Sequence, residues 1–435
     1  MSPFAGAGIV RRAGTWRRCL PCKYRASDPS VLYLAYQAHA DFMQSIRDGA
    51  RWTAAALNRA NHQLAAGSGT DRFAAAFELL ARTKLTHQRP SFRIEVTNVG
   101  DRTIAVREEP VCILPFGTLL RFTKDVPVPQ PRVLLVAPLS GHFATLLRGT
   151  VETLLPENDV YITDWHNARD VSMTHGRFGF DQYVEHLMSF LEAMGPGVHV
   201  VAVCQSCVQA LAAVAILSEA GSVATPRSMT LMAGPVDTRV NPTKVNELAT
   251  ARPIEWFEHN LIASVPSRFP GARRRVYPGF VQLTAFMSMN LERHIKAHVE
   301  MYECLASGDH ERADAIKTFY DEYFAVLDLP AEFYLETVKW VFQEHWLPLG
   351  KLRWQGHPVD FAAIRRTALL TVEGERDDIC SVGQTVAAHE LCTGLRPYMR
   401  RHHMQPGEGH YGVFSGKRWQ SQIYPLLRHL ILASD

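Results

Sequence analysis

One segment limits what this chain can fold into more than any other: Val198-His199-Val200-Val201-Ala202-Val203, followed by Cys204-Gln205-Ser206. A short β-branched run of this kind reads as a strand buried on both faces, the form strands take in parallel sheets. The residues after it, from Gln205 to Ala220, are rich in Ala, Leu and Val and close on Gly221, a helix stop. Cys204 therefore falls on a sharp strand-to-helix turn. Ala202 and Ser206 flank it as small residues, which such a turn needs because strand and helix approach closely. The start of the helix aims backbone N–H groups at whatever binds there. A buried Cys at a strand end is often only a small core residue, so its role depends on what the rest of the chain supplies.

With 47% hydrophobic and 20% charged residues, the 435-residue chain has ordinary globular composition. A formal net charge of +3, with basic residues scattered outside the N-terminus and Arg273-Arg274-Arg275, argues against a nucleic-acid partner. No apolar run reaches the roughly 18 residues that would span a bilayer. Eight cysteines are sparse for this length and read as reduced thiols of a cytoplasmic protein, not as a disulfide framework. The pairs Cys19/Cys22 and Cys204/Cys207 lie too far apart for a compact zinc ribbon. Neither a metal nor a cofactor is expected. Residues 1–28 hold six basic residues before the first acid, Asp28; they resemble a targeting segment in composition but lack an apolar stretch for secretion, and read as a disordered extension or a misassigned start.

Along the chain, 31–64 and 72–86 carry apolar residues at helical spacing, among them Leu32, Leu34, Tyr36, Phe42 and Ile46, with a small-residue link at 66–69. Alternation over 92–97 and 103–108 predicts a hairpin, with further strands at 111–114 and 118–122. Short buried strands then alternate with helices: 133–136, 160–162, 198–203, 229–232 and, after a long gap, 368–372. This alternation predicts a doubly wound, mostly parallel sheet, with ligands at the carboxyl ends of its strands. The gap is helical and aromatic-rich. The organisation expected is a disordered extension over 1–30, an N-terminal helical segment over 31–90, a core in two parts over 91–237 and 367–435, and a helical cap over 238–366.

The turn at Cys204 is a G-x-S-x-G nucleophile elbow with Cys for Ser and small residues for both glycines, the signature of an α/β-hydrolase fold. A thiol nucleophile there needs a base, an orienting acid and an oxyanion hole. In this fold the acid and then the base follow the nucleophile along the chain. Asp377 and Asp378, after the strand at 368–372, compete for the acid, with Asp237 a third candidate. The base expected is His410, set between glycines in Gly407-Glu408-Gly409-His410-Tyr411-Gly412. His142 is a rival base but precedes the nucleophile, and His402 and His403 read as surface residues. Backbone N–H groups at Ser140, in the loop after the first core strand, and at Gln205 are the expected oxyanion donors.

Four segments carry a resemblance: Ala202-Val203-Cys204-Gln205, Pro235-Val236-Asp237-Thr238-Arg239-Val240-Asn241-Pro242-Thr243, Glu373-Gly374-Glu375-Arg376-Asp377-Asp378-Ile379 and Gly409-His410-Tyr411-Gly412-Val413-Phe414. Together, over residues 31–435, the chain resembles the intracellular poly(3-hydroxybutyrate) depolymerases. The resemblance implies a cytoplasmic enzyme at polyhydroxyalkanoate granules, with the polymer or granule surface as its partner. It implies Cys204 as nucleophile, Asp377 as acid and His410 as base, and favours Asp377 over Asp378. Hydrolysis of amorphous polyester through an acyl-cysteine is the activity implied. A polyhydroxyalkanoate synthase-like acyltransferase and a catalytically weak granule protein are the alternatives. One departure stands out: the family usually carries Pro after Cys-Gln, where this chain has Ser206.

Overall fold

A computed structural model describes residues 29–61, 70–289 and 291–435. The basic segment 1–28 and the link at 66–69 lie outside the described residues. Two helices, α1 (Pro29–Asn61) and α2 (Thr70–Arg82), come first and pack against each other. Helical spacing places α1 correctly but misjudges its face. Leu32, Leu34, Phe42 and Ile46 stay exposed, whereas Tyr33 is completely buried.

Nine strands form the main sheet: β1 (Val96–Val99), β2 (Arg102–Leu114), β3 (Gly117–Lys124), β4 (Arg132–Val136), β5 (Asp159–Trp165), β6 (Val198–Val203), β7 (Ser228–Met232), β8 (Ala368–Gly374) and β9 (Arg400–Gln405). Their order is β1-β2-β3-β5-β4-β6-β7-β8-β9. Pairing is antiparallel from β1 to β5 and parallel from β5 to β9. This is the α/β-hydrolase arrangement. β6 and β7 are buried throughout, as their apolar sequences demand. From β4 the chain moves to β5 on one side and then crosses to β6 on the other. That reversal is a topological switch point, where open α/β sheets bind ligands. It sets the loop after β4, with Ser140, beside the turn after β6, with Cys204.

The structure corrects three strand expectations. The hairpin strands are Val96–Val99 and Arg102–Leu114, so Phe92 and Ile94 enter the core from outside the sheet. Residues 111–114 belong to β2, which continues through an irregularity between Pro110 and Cys112. The sheet also does not end at β8. Arg400-Arg401-His402-His403-Met404-Gln405 adds β9 in parallel, polar because an edge strand is kept soluble and unpaired by charge. His402 is exposed there, and its Nδ1 lies 3.0 Å from Thr371 Oγ1.

Helix α3 (Phe180–Met194) covers one crossover and α4 (Ser206–Glu219) follows the elbow. Residues 206–215 of α4 are all buried, the state of a helix that is apolar all round. Between β7 and β8 the chain leaves the sheet and builds a cap from α5 (Gly279–Met289), α6 (Leu291–Ser307), α7 (His310–Tyr323) and shorter elements, including a small three-stranded antiparallel sheet. Helix α2 packs on α6. Helix α1 is tied to the cap by a buried polar knot. Tyr33 Oη donates to Asp328 Oδ2 (2.5 Å), Gly279 N–H donates to Oδ1 (2.9 Å), and Asp328 N–H donates to Asn167 Oδ1 (3.0 Å). The final helix, α8 (Tyr424–Ser434), packs on β7 and β8.

Candidate active site

Cys204 has φ +58°, in the left-handed region that non-glycine residues avoid. Such strain costs about 1–3 kcal/mol and persists only where the surroundings enforce it. Here the enforcement is visible. Cys204 N–H donates to Met232 O at the end of β7 (2.7 Å). Ser206 Oγ lies 2.8 Å from both Val136 O and Val203 O and accepts from Val203 N–H (3.1 Å). One hydroxyl thus joins the ends of β4 and β6. A Cβ at Gly234 would lie 2.3 Å from the Cys207 Cβ, so only glycine lets the chain after β7 pass this close to the elbow. Cys207 itself faces the core, its Sγ 3.3 Å from Ala202 O, and burial pushes its thiol pKa well up.

The imidazole of His410 opens a short helical turn, His410–Val413, after Gly409. Its Nδ1 lies 2.8 Å from Asp377 Oδ2, with both side chains buried. Burial is the largest influence on His410 and opposes its charge. Asp377 and Cys204, by charge and by hydrogen bonding, overcome it and hold the imidazole pKa well above its usual range. The other Asp377 oxygen accepts the N–H groups of Ile379 (2.9 Å) and Cys380 (2.8 Å), which fixes the carboxylate. Asp378 is exposed. Asp237 is engaged with Arg239 at 2.8 and 2.9 Å, which holds its carboxyl below the usual range. The structure therefore brings Asp377 to His410 and leaves Asp378 and Asp237 elsewhere.

Glu373 was not singled out by sequence. It lies within β8, fully buried, and accepts N–H groups of Thr385 (2.7 Å), Val386 (2.9 Å) and Gly383 (3.0 Å). Thr385 Oγ1 in turn holds Gly234 N–H at 2.8 Å. One carboxylate so organises the loop carrying Asp377 and couples it to the elbow.

The loop after β4 is fixed from both sides. Ala137 O accepts from Trp165 Nε1 (2.8 Å) and Tyr183 Oη (3.2 Å) on the core side. From the cap, Gln282 Nε2 donates to Ser140 O (2.5 Å) and Leu327 N–H donates to Gly141 O (3.0 Å). Ser140 and Gln205 both line a cavity with Cys204, and Gln205 is the residue before the first turn of α4. Gln282 is a second residue that sequence reading missed. His142 does not meet Asp377. It is buried between Tyr323 and Phe286, with ring centroids 5.1 and 6.2 Å away.

The family model described as "PHB de-polymerase C-terminus" matches residues 233–435. Residues 233–435 are thus similar to the C-terminal region of PHB depolymerases. The match supports an ester hydrolase. No curated protein matches it in sequence. Among solved structures, the α/β hydrolase GrgF from Penicillium sp. sh18 is 15% identical, with 75% of this chain and 97% of that one covered and a TM-score of 0.45. The 2-hydroxy-6-oxo-6-phenylhexa-2,4-dienoate hydrolase from Rhodococcus sp. strain RHA1 is 14% identical, with 75% and 98% covered and a TM-score of 0.39.

The matched region contributes the cap, Asp377 and His410, while Ser140, Cys204 and Gln205 precede it. The two parts meet around Cys204. On one side lies a cavity of about 300 Å³ between core and cap, walled by aromatic side chains such as Phe257, Tyr277, Phe333 and Tyr334. Tyr277 and Tyr334 stack at 3.9 Å. The Gln205 carboxamide is buried at this wall with no protein partner on either atom. On the other side a small cavity of about 50 Å³ adjoins His410. A larger cavity of about 530 Å³ near α2 lies away from these residues and is lined by charges already in ion pairs, such as Lys317–Glu78 (2.7 Å) and Arg82–Asp321 (3.0 Å). Among the described residues no cluster of His, Cys, Asp and Glu offers a metal site, and no helix is long and apolar enough to cross a membrane.

Proposed function

We propose that this ester hydrolase depolymerises amorphous short-side-chain polyester of the poly(3-hydroxybutyrate) type, on the cell's own polymer granules, through an acyl-cysteine. The observation that carries this reading is the strained Cys204 (φ +58°) beside the buried His410–Asp377 pair at 2.8 Å. Cys204 is the nucleophile. Asp377 holds His410 in one tautomer, with Nδ1–H toward the carboxylate, so that Nε2 serves the reaction. His410 assists thiol attack on the ester carbonyl and returns its proton to the departing hydroxyl. The N–H groups of Ser140 and Gln205 stabilise the oxyanion, a contribution of about 3 kcal/mol for each donor of this kind. The aromatic cavity takes the acyl side. One water-sized group needs roughly 10–15 Å³ of such space, so the volume of about 300 Å³ leaves room for a segment longer than one four-carbon unit.

The test is hydrolysis of three substrates by the purified chain. Release of 3-hydroxybutyrate or its short oligomers from amorphous granules, faster than from crystalline polymer or long-chain triglyceride and abolished by Cys204→Ala, is expected. Preference for triglyceride would defeat the substrate assignment. Release of CoA from 3-hydroxybutyryl-CoA with polymer growth would make the protein a synthase-like acyltransferase instead.

A further inference from the structure

The triad leaves one imidazole of the site unused. His142 lines the small cavity beside Cys204, together with His410, Ser140 and Tyr411. A water needs roughly 10–15 Å³ of such space and two or more polar partners, and about 50 Å³ is available. His142 is only 6% exposed. The backbone carbonyl of Tyr323 faces the ring, and its Nε2 has no protein partner. With the proton on Nδ1, Nε2 presents a lone pair. Burial pushes the His142 pKa down to about 4, so the ring stays neutral at ordinary pH. Packing against Tyr323 and Phe286, and backbone pairing of His142 with Val326, hold the ring in place. A buried, unpaired acceptor costs free energy unless something occupies it.

We propose that His142 holds the water that hydrolyses the acyl-enzyme, the water giving one hydrogen to His142 Nε2 and the other to His410. This rests on the acyl-cysteine reading above. The water oxygen bonds to the thioester carbonyl carbon as His410 takes its proton. The tetrahedral intermediate collapses, the C–S bond breaks with its electron pair going to sulfur, and His410 returns the proton to the thiolate. A carboxylic acid and free Cys204 result, with one water consumed. An alcohol has a single hydroxyl hydrogen, which must go to His410, so it gains nothing from His142. The second imidazole thereby favours hydrolysis over transfer to an alcohol.

The experiment follows p-nitrophenyl butyrate turnover by stopped flow with methanol present. The burst reads acylation, the steady state reads deacylation, and the ratio of methyl butyrate to butyrate reads the partition. With His142→Phe, deacylation is expected to fall about tenfold more than acylation. Butyryl-Cys204 should accumulate, and the partition should move about fivefold or more toward the methyl ester. His142→Asn, polar but too short to reach the water, carries the same expectation should His142→Phe not fold. His142→Gln, which restores an acceptor, should recover part of the hydrolysis. Equal losses in acylation and deacylation with an unchanged partition would overturn the role of His142. Turnover by the wild type with no acyl group on Cys204 would instead overturn the acyl-cysteine reading.

Discussion

At the residue scale, function depends on a few side chains whose neighbours leave them little freedom. Asp377 is held by two backbone N–H groups and faces His410 directly. Asp377→Asn should reduce kcat on polyester by about a thousandfold or more, because an amide favours the wrong imidazole tautomer. Asp378→Asn, at an exposed position, should stay within about threefold of wild type. The same pair predicts a pH dependence. The His410 pKa is raised in the folded protein. Its pairing therefore contributes stability fully below the ordinary imidazole pKa, and that contribution is lost as pH rises through the higher folded value. The Tm deficit of Asp377→Asn should be greatest at mildly acidic pH and shrink at alkaline pH, as thermal melts across that range would measure. Cys204 and His410 were readable in the sequence because their signals are local: a β-branched run ending in a small-residue helix, and a histidine between glycines. Nothing adjacent to Glu373 or Gln282 announces that they fix the loops carrying Asp377 and Ser140. Their partners lie 10 or more residues away for Glu373 and 142 residues away, in the core loop after β4, for Gln282.

At the scale of elements, the site is made where strand ends meet. The Ser206 hydroxyl joins β4 to β6 at the switch point. This gives Ser206 a physical role in the turn. Ser206→Ala would leave Val136 O and Val203 N–H without that partner. It should cost about 1–3 kcal/mol by denaturant melt, with a fall in kcat as the elbow loosens. Glu373→Gln replaces a carboxylate that accepts three N–H groups by an amide with a single acceptor oxygen. A loss of about 1–3 kcal/mol is expected, with activity falling through Asp377 and not through any contact of Glu373 with substrate. An unchanged melt would contradict the organising role given to Glu373. Sequence patterning located the buried parallel strands because their apolar runs are unambiguous. It missed β9, whose polar residues follow from its place at the sheet edge, and it split β2 at an irregularity that pairing with β3 bridges.

For the whole molecule, the central feature is that core, cap and N-terminal helices are locked together around the site. Gln282 and Leu327 carry the cap to the loop at Ser140, and Tyr33 carries α1 to Asp328 beneath the cap. Burial raises the Asp328 pKa, and the Tyr33 hydroxyl opposes that rise. A raised folded pKa means that stability is fully present below the ordinary carboxylate range and is lost as pH rises through the folded value. Tyr33→Phe removes the opposing donor, so its Tm deficit should be small near pH 4 and grow toward pH 7. A deficit independent of pH would show that Tyr33 contributes packing alone. The sequence signalled α1 as a helix but not this attachment. Its exposed apolar residues carried the helical spacing, whereas the buried anchor is a single tyrosine whose partner lies 295 residues away. The account as a whole turns on one covalent bond. Enzyme quenched during turnover on amorphous poly(3-hydroxybutyrate) and digested for peptide mass spectrometry should carry a 3-hydroxybutyryl group, monomeric or oligomeric, on the peptide containing Cys204. The adduct should vanish in Cys204→Ala together with hydrolysis. Sustained polymer hydrolysis by Cys204→Ala, or an acyl group carried on another residue, would contradict it.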